Sequence, residues 1–423
     1  MSMTPAERQT LGIEAGRVFS PAAPIDEKDL FAGRIKQLRR VIDVVNQRGQ
    51  HAIIFGERGV GKTSLANVIS SYLSSVPNFP ILAPHVNCDG TDDFTRLWKK
   101  ILSQIELSSR AKQTGFISVP KLATTNLADR LPTKVTPEDV RKALTEVSEY
   151  AMLIVIVDEF DRLQGSHTQR VFADTIKTLS DNSVKATLVL VGVADTVSDL
   201  IREHQSVERA LVQIRMQRMS TDELKEIINK GLSRLGMTID EDAIKHISLI
   251  SQGLPHYTHL LGLYASREAI DQNTKVVSME HVQTAVKNAL EGAQQTTRTA
   301  YHKATTSPRR DNLYADVLLA CALAKVDDLG YFAAADVRAP LSKIKKRKFD
   351  IPSFSRHLND FSEEKRGPIL KKFGSKHKYR FRFINPLMQP FVTMQGFACG
   401  KIDRATLEQW AIASVESHKS ASM

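Results

Sequence analysis

The segment Gly56-Glu57-Arg58-Gly59-Val60-Gly61-Lys62-Thr63 matches the phosphate-loop pattern GxxxxGK followed by Ser or Thr. The apolar run Ala52 to Phe55 comes directly before it and predicts a buried strand of a parallel sheet. From Leu65 onward, apolar residues recur at helical spacing. A glycine-rich loop between a strand and a helix points backbone N–H groups and the helix N-terminus at one place. The segment therefore predicts a binding site for nucleotide phosphates.

The side chains of this loop have separate predicted tasks. Lys62 supplies a positive charge to the β- and γ-phosphates, and the hydroxyl group of Thr63 binds Mg²⁺. The predicted cofactors are therefore ATP and Mg²⁺. The residues expected to contact the nucleotide here are Gly56, Glu57, Arg58, Gly59, Val60, Gly61, Lys62, Thr63 and Ser64.

Two acidic residues follow the most apolar run of the chain. Met152 to Val157 predicts a buried strand, and Asp158 and Glu159 come directly after it. Ligands of open α/β folds bind at the carboxyl ends of parallel strands, so both carboxylates are expected beside the phosphate loop. Asp158 is predicted to hold Mg²⁺ through water, and Glu159 to orient and polarise the attacking water. The alternative is a pair of solvated carboxylates without a catalytic task.

The order of the predicted elements indicates the fold class. Up to residue 219, almost entirely apolar strands alternate with helices, which is typical of a parallel α/β sheet covered by helices. From Ser220 onward four helical patterns follow one another, and Ser220 with Glu223 is a predicted capping box. Three further helices then precede a hairpin, which is the element order of a winged helix.

The predicted domains follow from these changes of pattern. They are a flexible N-terminal arm (1–27), a nucleotide-binding α/β domain (28–219) with a surface insertion (108–135), a helical lid domain (220–292), a linker (293–311), a winged-helix domain (312–395) and a C-terminal tail or helix (396–423).

Composition excludes several other classes of protein. Of 423 residues, 42% are hydrophobic and 25% are charged, as in ordinary globular proteins. No apolar run reaches the roughly 18 residues that a transmembrane helix needs, and the N-terminus lacks the apolar core of a secretory signal. The three cysteines lie far apart, so neither a disulfide framework nor a cysteine zinc site is expected. A cytoplasmic location is predicted.

The phosphate loop and the acidic pair Asp158 and Glu159 make the chain resemble AAA+ ATPases. The resemblance is greatest to the initiator clade of origin-recognition and Cdc-six-like loaders. The chain is also similar to the transposition regulators TniB, TnsC and MuB. The resemblance implies that Gly33 and Arg34 lie against the adenine and that Asp195 follows the sensor-one strand. It also implies that Arg209, in the SxxR-like stretch Ser206 to Arg209, is an arginine finger for a neighbouring subunit's ATP. A homo-oligomer in the ATP state would follow.

Two positions depart from the family pattern. Asp195 stands where the family commonly has Asn, so Thr196 is a rival for sensor one; alternatively, Asp195 caps the next helix. His256 stands where the family has the sensor-two arginine, and a neutral imidazole lacks a fixed charge. Alternatively, His256 only begins a helix. These departures predict that hydrolysis is slow or is coupled differently to movement of the lid. Stimulation by oligomerisation or DNA is also expected.

The positive charge is concentrated in the C-terminal part. The formal net charge is +11, and residues 301–423 hold 22 Lys and Arg against 12 Asp and Glu. Such a basic module is typical of proteins that bind a polyanion, and double-stranded DNA is the predicted partner. The alternatives are an acidic protein and a merely solvated surface. The residues predicted to contact DNA are Lys345, Lys346, Arg347, Lys348, Arg356, Lys371, Lys372, Lys376, Lys378 and Arg380.

These observations predict an ATP-hydrolysing AAA+ switch that oligomerises with ATP and binds duplex DNA through a basic winged helix. The expected catalytic residues are Glu159, Arg209 and Lys62. The resemblance implies a task of the replication-initiator or transposition-regulator type, with a mobile-element or phage-defence setting as a further option. The alternative is a signalling or scaffold ATPase whose winged helix docks on an unidentified protein. No membrane partner is expected.

Overall fold

The computed structural model describes residues 3–21, 30–74, 80–110, 122–163, 165–201, 207–309, 312–327, 329–375 and 378–409. The chain divides into two compact units. The sheet unit comprises Pro24–Glu57 and Gly61–Met216. The helical unit comprises Met1–Ala23, Arg58–Val60 and Gln217–Met423.

Helices and strands within the described residues are numbered separately along the chain. The α-helices are α1 Pro5–Val18, α2 Ile35–Val45, α3 Lys62–Ser74, α4 Phe94–Leu102, α5 Pro137–Ser148, α6 Ser166–Asp181, α7 Val197–Leu200, α8 Thr221–Arg234, α9 Glu241–Ser251, α10 Pro255–Asp271, α11 Met279–Glu291, α12 Gln295–Thr305, α13 Tyr314–Ala322, α14 Ala334–Ile344, α15 Ile351–Asp360 and α16 Met388–Ala398. The strands are β1 His51–Gly56, β2 Ile81–Leu82, β3 His85–Asn87, β4 Glu106–Arg110, β5 Leu122–Asn126, β6 Met152–Asp158, β7 Ala186–Val193, β8 Leu211–Arg215, β9 Thr238–Ile239, β10 Val276–Val277, β11 Phe332–Ala333, β12 Leu370–Phe373 and β13 Arg380–Phe383.

The sheet unit is built on one parallel sheet. Its strands lie in the order β2–β6–β7–β1–β8, and β3 also pairs with β6. All of these pairings are parallel, as the nearly continuous apolar runs of the sequence predict. Every residue of β1 is buried, so both faces of the sheet are covered. The predicted parallel α/β core is therefore confirmed.

An aromatic cluster fills the core next to the end of β6. The ring of Phe172 in α6 lies 5.2 Å from Phe94 and 6.2 Å from Trp98, both in α4, measured between centroids. Phe160, which follows β6, lies 5.1 Å from Phe172 in an edge-to-face arrangement. Such aromatic pairs add to the free energy gained from burying their large apolar surface. The turn after β6 is therefore anchored by the core.

The helical unit begins with α1, in the segment 1–27 that the sequence predicts to be a flexible arm. That prediction is wrong for α1, because Thr4 and Glu7 form a capping box at its N-terminus. Phe19, the residue after the helix, is fully buried. Its ring packs against Gly231 of α8 and Gly262 of α10. The N-terminal segment is thus part of the packed helical unit; residues 22–29 lie outside the described residues.

A second correction concerns residues 293–311, which the sequence predicts to be a linker. They contain α12, which packs on α13 and α16. The ring of Tyr301 lies 5.6 Å from that of Phe391, and the guanidinium group of Arg366 donates to the carbonyl oxygen of Ala304 at 3.0 Å. The polar composition hides this helix, because Ala304 is its one buried residue.

The predicted surface insertion, residues 108–135, overlaps a pair of antiparallel strands that begins at Glu106. β4 pairs with β5 from Glu106 opposite Asn126 to Arg110 opposite Leu122, and residues 111–121 lie outside the described part of the chain. A turn of 3-10 helix follows, in which Leu127 is buried in the core of the sheet unit. The end of the insertion is therefore fixed by the core.

The C-terminal part of the helical unit contains a three-stranded antiparallel sheet. Its strands lie in the order β11–β13–β12. Phe381 and Phe383 of β13 are buried, whereas Lys371 and Phe373 of β12 are exposed. The sheet therefore has one packed face and one face that is open to solvent.

The three cysteines are free: Cys88 and Cys321 are buried, and Cys399 is exposed. In the part of the chain that the structure describes, no helix is long and apolar enough to cross a bilayer.

Replacing Gly231 by Ala tests the packing of Phe19. An added Cβ would lie 2.4 Å from the ring of Phe19, so Gly231→Ala is expected to lower the free energy of unfolding by about 1–3 kcal/mol. Gly12→Ala in α1 is the matched control, because a Cβ there meets no atom within 4 Å and alanine favours a helix. Denaturant-induced unfolding measures both. Equal stability of the two variants would contradict the packing of Phe19 in the helical unit.

Candidate functional site

The phosphate loop joins β1 to α3 in a conformation that only glycine adopts readily. β1 ends at Gly56, opposite Val193 of β7, and α3 begins at Lys62. The φ angles of Gly56, Gly59 and Gly61 are +152°, +87° and +91°, a region that side chains disfavour. A Cβ at Gly56 would also lie 2.3 Å from the carbonyl oxygen of Met216. The glycines of the motif are therefore required by the backbone of the loop.

The ammonium group of Lys62 lies inside the curve of this loop. Its Nζ donates to the carbonyl oxygens of Gly56 at 3.1 Å and Glu57 at 2.8 Å. The side chain is largely buried, and Thr63 and Ser64 follow it in the first turn of α3, half-buried. The helix N-terminus and one fixed cation thus face the same place, which suits bound phosphate groups.

Asp158 ends β6 at the same edge of the sheet as the phosphate loop. It is 3% exposed, and its Oδ1 accepts the backbone N–H of Glu159 at 2.7 Å. Its Oδ2 is buried and has no hydrogen-bond partner among the described residues. A buried carboxylate oxygen in this state is destabilising unless a ligand satisfies it.

This carboxylate fits the predicted Mg²⁺. Within the described ranges, no group of three His, Cys, Asp or Glu side chains is arranged to hold a metal. Mg²⁺ commonly keeps several waters and binds through one or two carboxylates together with substrate phosphates, so one buried aspartate suffices. Asp158 and Thr63 are therefore the residues that suit the ion.

Glu159 occupies an unusual backbone conformation directly after β6. Its φ and ψ angles are +53° and +36°, in the left-handed region that non-glycine residues seldom adopt. Its Oε2 accepts a hydrogen bond of 2.8 Å from Nη1 of Arg162, and the side chain is exposed. The neighbouring Phe160 is held in the aromatic core. Strain of this kind is characteristic of functional positions.

Sequence reasoning missed His85 of this site. Nε2 of His85 in β3 lies 4.0 Å from Oδ2 of Asp158. Burial lowers the pKa of His85, and the charge of Asp158 opposes this change in part. Oδ1 of Asp161 accepts the backbone N–H of Val193 at 2.7 Å and so joins the turn after β6 to the end of β7. No motif marks His85, because its contact with Asp158 runs between neighbouring strands.

The segment after β7 settles one alternative. Both the backbone N–H and the hydroxyl group of Thr196 donate to Oδ2 of Asp199 at 2.9 Å, at the N-terminus of α7. Thr196 therefore caps this helix, and the alternative that Asp195 caps it is wrong. Asp195 is half-buried, and Asp195 and Thr196 both stay candidates for sensor one.

Gly33 and Arg34, the predicted adenine contacts, form the turn that leads into α2. Their φ angles are +64° and +59°, and Arg34 is 4% exposed. Arg209, the predicted finger, is exposed in the turn before β8. Ser206, the first residue of the SxxR-like stretch, lies outside the described residues. The roles of these residues stay predictions.

His256 lies in the helical unit, where it is the second residue of α10. Its Nδ1 is hydrogen-bonded to the carbonyl oxygen of Pro21 at 2.8 Å, which requires a proton on Nδ1. Burial lowers the pKa of His256, and this hydrogen bond opposes the change. Within its own unit, the imidazole therefore holds the N-terminal segment. Its predicted sensor-two role stays a prediction.

The predicted DNA contacts fall into two groups on the helical unit, apart from Lys376, which lies outside the described residues. Lys345 Nζ lies 3.2 Å from Oδ2 of Asp316, and Arg380 Nη1 lies 2.8 Å from Oδ2 of Asp327. These two cations are thus already engaged with carboxylates. The remaining exposed cations are Lys346, Arg347, Lys348, Arg356, Lys371, Lys372 and Lys378.

Comparison with known families identifies the class of this nucleotide site. The family model of Novel STAND NTPase 1 matches residues 23–341, which is about three quarters of the chain. The chain belongs to the Novel STAND NTPase 1 family. An NTPase family agrees with the phosphate loop and with the acidic pair at the end of β6. No curated protein sequence matches this STAND NTPase.

Solved structures that resemble this STAND NTPase include ORC and Cdc6 proteins. The Aeropyrum pernix ORC2 protein, in ADPNP–ADP complexes, is 15% identical, with a TM-score of 0.48 over 95% of this chain and 98% of that one. The Aeropyrum pernix ORC1 protein in complex with DNA is 14% identical, with a TM-score of 0.47 over 91% and 97%. Cdc6p from Pyrobaculum aerophilum is 14% identical, with a TM-score of 0.43 over 92% and 99%. The predicted resemblance to the initiator clade is confirmed as a resemblance, and no function is drawn from these distant matches.

Replacing Lys62 by Ala tests the assignment of the phosphate loop. The variant loses the cation of the loop, so this STAND NTPase should no longer bind a fluorescent ATP analogue in an equilibrium titration. Lys177→Ala is the matched control, because Lys177 is an exposed lysine on α6 of the same unit. Unchanged affinity of Lys62→Ala for the analogue would refute the assignment.

Proposed function

We propose that this STAND NTPase is an ATP-driven switch. In this proposal it binds ATP with Mg²⁺, hydrolyses ATP slowly, assembles into a homo-oligomer in the ATP state, and binds duplex DNA through its basic C-terminal module. The observation that carries the proposal is the buried, unpartnered Oδ2 of Asp158 at the sheet edge that also carries the phosphate loop.

Different residues at this edge of the sheet have different roles in hydrolysis. Lys62 and the backbone N–H groups of the loop bind the phosphates, and Thr63 and Asp158 hold the metal. A bound Mg²⁺ would supply positive charge that stabilises the transferring phosphoryl group. Glu159 leaves its contact with Arg162 and accepts a hydrogen bond from the attacking water, which orients it in line with the γ-phosphate.

Arg209 supports the oligomeric part of the proposal. It is exposed on the sheet unit, so its guanidinium group is accessible to the ATP of a neighbouring subunit. There it stabilises the charge on the transferring phosphoryl group. Fingers of this kind contribute on the order of 10³–10⁵ in rate.

Two variants that fail for different reasons test the subunit arrangement. Lys62→Ala keeps the finger but lacks the nucleotide, and Arg209→Ala keeps the nucleotide but lacks the finger. Each alone should hydrolyse ATP at least about 10³-fold more slowly than the unmodified protein, and mixing them should restore part of the rate. Arg39→Ala, an exposed arginine on α2, is the control. No recovery on mixing, with full activity of Arg209→Ala, would remove Arg209 as a finger.

Replacing Glu159 by Gln separates binding from turnover. Glutamine keeps the size of the side chain but cannot polarise the attacking water as a carboxylate does. Glu159→Gln should therefore bind ATP with unchanged affinity, lose steady-state hydrolysis, and remain oligomeric in ATP by light scattering. Arg162→Ala is the matched control, because it removes only the partner of the carboxylate. Full hydrolysis by Glu159→Gln would exclude Glu159 as the base.

The C-terminal module supports DNA as the partner through both its element order and its charge. α13, β11, α14, α15, β12 and β13 follow one another in the order of a winged helix. In that fold the third helix enters the major groove and the hairpin lies along the backbone. Here the third helix is α15, whose Arg356 side chain is 89% exposed. The hairpin adds Lys371 and Lys372 of β12 as exposed cations.

The salt dependence of DNA binding tests the proposal that the C-terminal module binds duplex DNA. Fluorescence anisotropy measures binding to a labelled duplex with an ATP analogue, with ADP and without nucleotide. The measured quantity is the slope of the logarithm of the binding constant against the logarithm of the salt concentration. In the triple variant Lys346→Ala, Lys348→Ala, Arg356→Ala, this slope should become less steep by about 0.9 for each phosphate contact that is lost. The triple variant Lys142→Ala, Lys177→Ala, Lys185→Ala removes the same charge from exposed sites of the sheet unit and should keep the slope. Identical slopes for the two triple variants would show that Lys346, Lys348 and Arg356 do not contact the DNA phosphates. If the unmodified protein binds no DNA at all, a protein partner would be favoured.

A further inference from the structure

The contact between His85 and Asp158 brings together two polar atoms that both lack a partner. Nε2 of His85 lies 4.0 Å from Oδ2 of Asp158. Both atoms are buried, and neither has a hydrogen-bond partner among the described residues. Leaving a buried polar atom unsatisfied costs on the order of 1–3 kcal/mol. The two atoms would satisfy one another if they approached more closely.

The backbone of His85 is held on both edges of β3. On one edge β3 pairs with β6, with His85 opposite Ile156 and Asn87 opposite Asp158. On the other edge the side-chain amide of Gln104 accepts the N–H of His85 and donates to its carbonyl oxygen, each at 3.0 Å. This amide takes the place of a neighbouring strand, so the imidazole is carried on a fixed backbone beside Asp158.

We infer that His85 is a positioning residue, which holds the carboxylate of Asp158 in the orientation that binds Mg²⁺. The N–H of Nε2 donates to Oδ2, while the backbone N–H of Glu159 continues to donate to Oδ1. The gap of 4.0 Å must close by about 1 Å to give a hydrogen bond, which a small rotation of the carboxylate achieves. With a hydrogen bond at each oxygen, Asp158 no longer changes its orientation when the ion arrives, and each oxygen keeps a second lone pair for the ion or its water.

This inference rests on the proposed nucleotide site. Hydrogen bonds to a metal-binding carboxylate typically change metal affinity by about 10- to 100-fold. The expected effect of losing His85 is therefore a higher Mg²⁺ requirement. Nucleotide binding without the ion should stay unchanged, because His85 does not belong to the phosphate loop.

The experiment titrates Mg²⁺ into the full chain with a fluorescent, non-hydrolysable ATP analogue, and repeats the titration of the analogue in EDTA. His85→Phe keeps a ring but loses the donor, and should raise the half-saturating Mg²⁺ concentration about 10-fold or more. His85→Gln has an amide N–H near the position of Nε2 and should restore part of the affinity. His167→Phe, an exposed histidine of α6, is the control. Thermal unfolding shows that each variant is folded.

The outcomes separate this inference from the proposed function. A parallel loss of binding in Mg²⁺ and in EDTA would show that His85 is merely structural, and an unchanged Mg²⁺ requirement would show that it has no role at the ion. Both results would overturn the inference and leave the nucleotide site intact. If the unmodified protein binds the analogue equally well with Mg²⁺ and in EDTA, the proposed metal site itself fails.

Discussion

Parallel pairing of β7 with both β1 and β6 sets the position of the acidic residues after β6 relative to the start of the phosphate loop. Gly56 lies opposite Val193, and Val157 lies opposite Leu190, so the three strands end at one edge. A shift of one residue in this register would move Asp158 by about 3.3 Å relative to the phosphate loop. That distance exceeds the reach of a hydrogen bond. The chemistry of the site therefore depends on backbone pairing between segments that are far apart in the chain.

The strained backbone at Glu159 lies at the same edge of the sheet. A left-handed conformation at a non-glycine residue costs on the order of 1–3 kcal/mol. Burying the ring of Phe160 contributes about 1.5–3 kcal/mol in the opposite direction. The two amounts are similar, so packing of one aromatic residue is enough to offset the strain. Asp161 adds a hydrogen bond to the end of β7. The turn after β6 is therefore held by its neighbours, and the exposed side chain of Glu159 contacts solvent and Arg162.

Features that depend on local sequence could be predicted, and features that depend on distant contacts could not. The phosphate loop and the acidic pair were recognisable because each is a contiguous pattern at the end of an apolar strand. His85 was not, because its importance arises only when β3 and β6 lie side by side. The helix α1 was missed for another reason. Its capping box at Thr4 and Glu7 is visible in the sequence, and Phe19 is a candidate for packing on the domain, but the sequence does not show that its partner is Gly231.

Charge counting also overstates the surface that is available to a polyanion. Asp316 is largely buried and lies 3.2 Å from Nζ of Lys345 and 2.6 Å from Nζ of Lys401. Drawing Lys345 toward a phosphate would weaken the compensation of a carboxylate that water hardly reaches, which is costly for a buried charge. Arg356 is in the opposite situation, since its nearest carboxylate, Asp360, lies 4.0 Å away and its side chain is 89% exposed. An exposed pair of this kind contributes little to stability. The net positive charge therefore includes cations that stabilise the fold and exposed cations that are available to a polyanion. The two kinds differ in how closely a carboxylate approaches them.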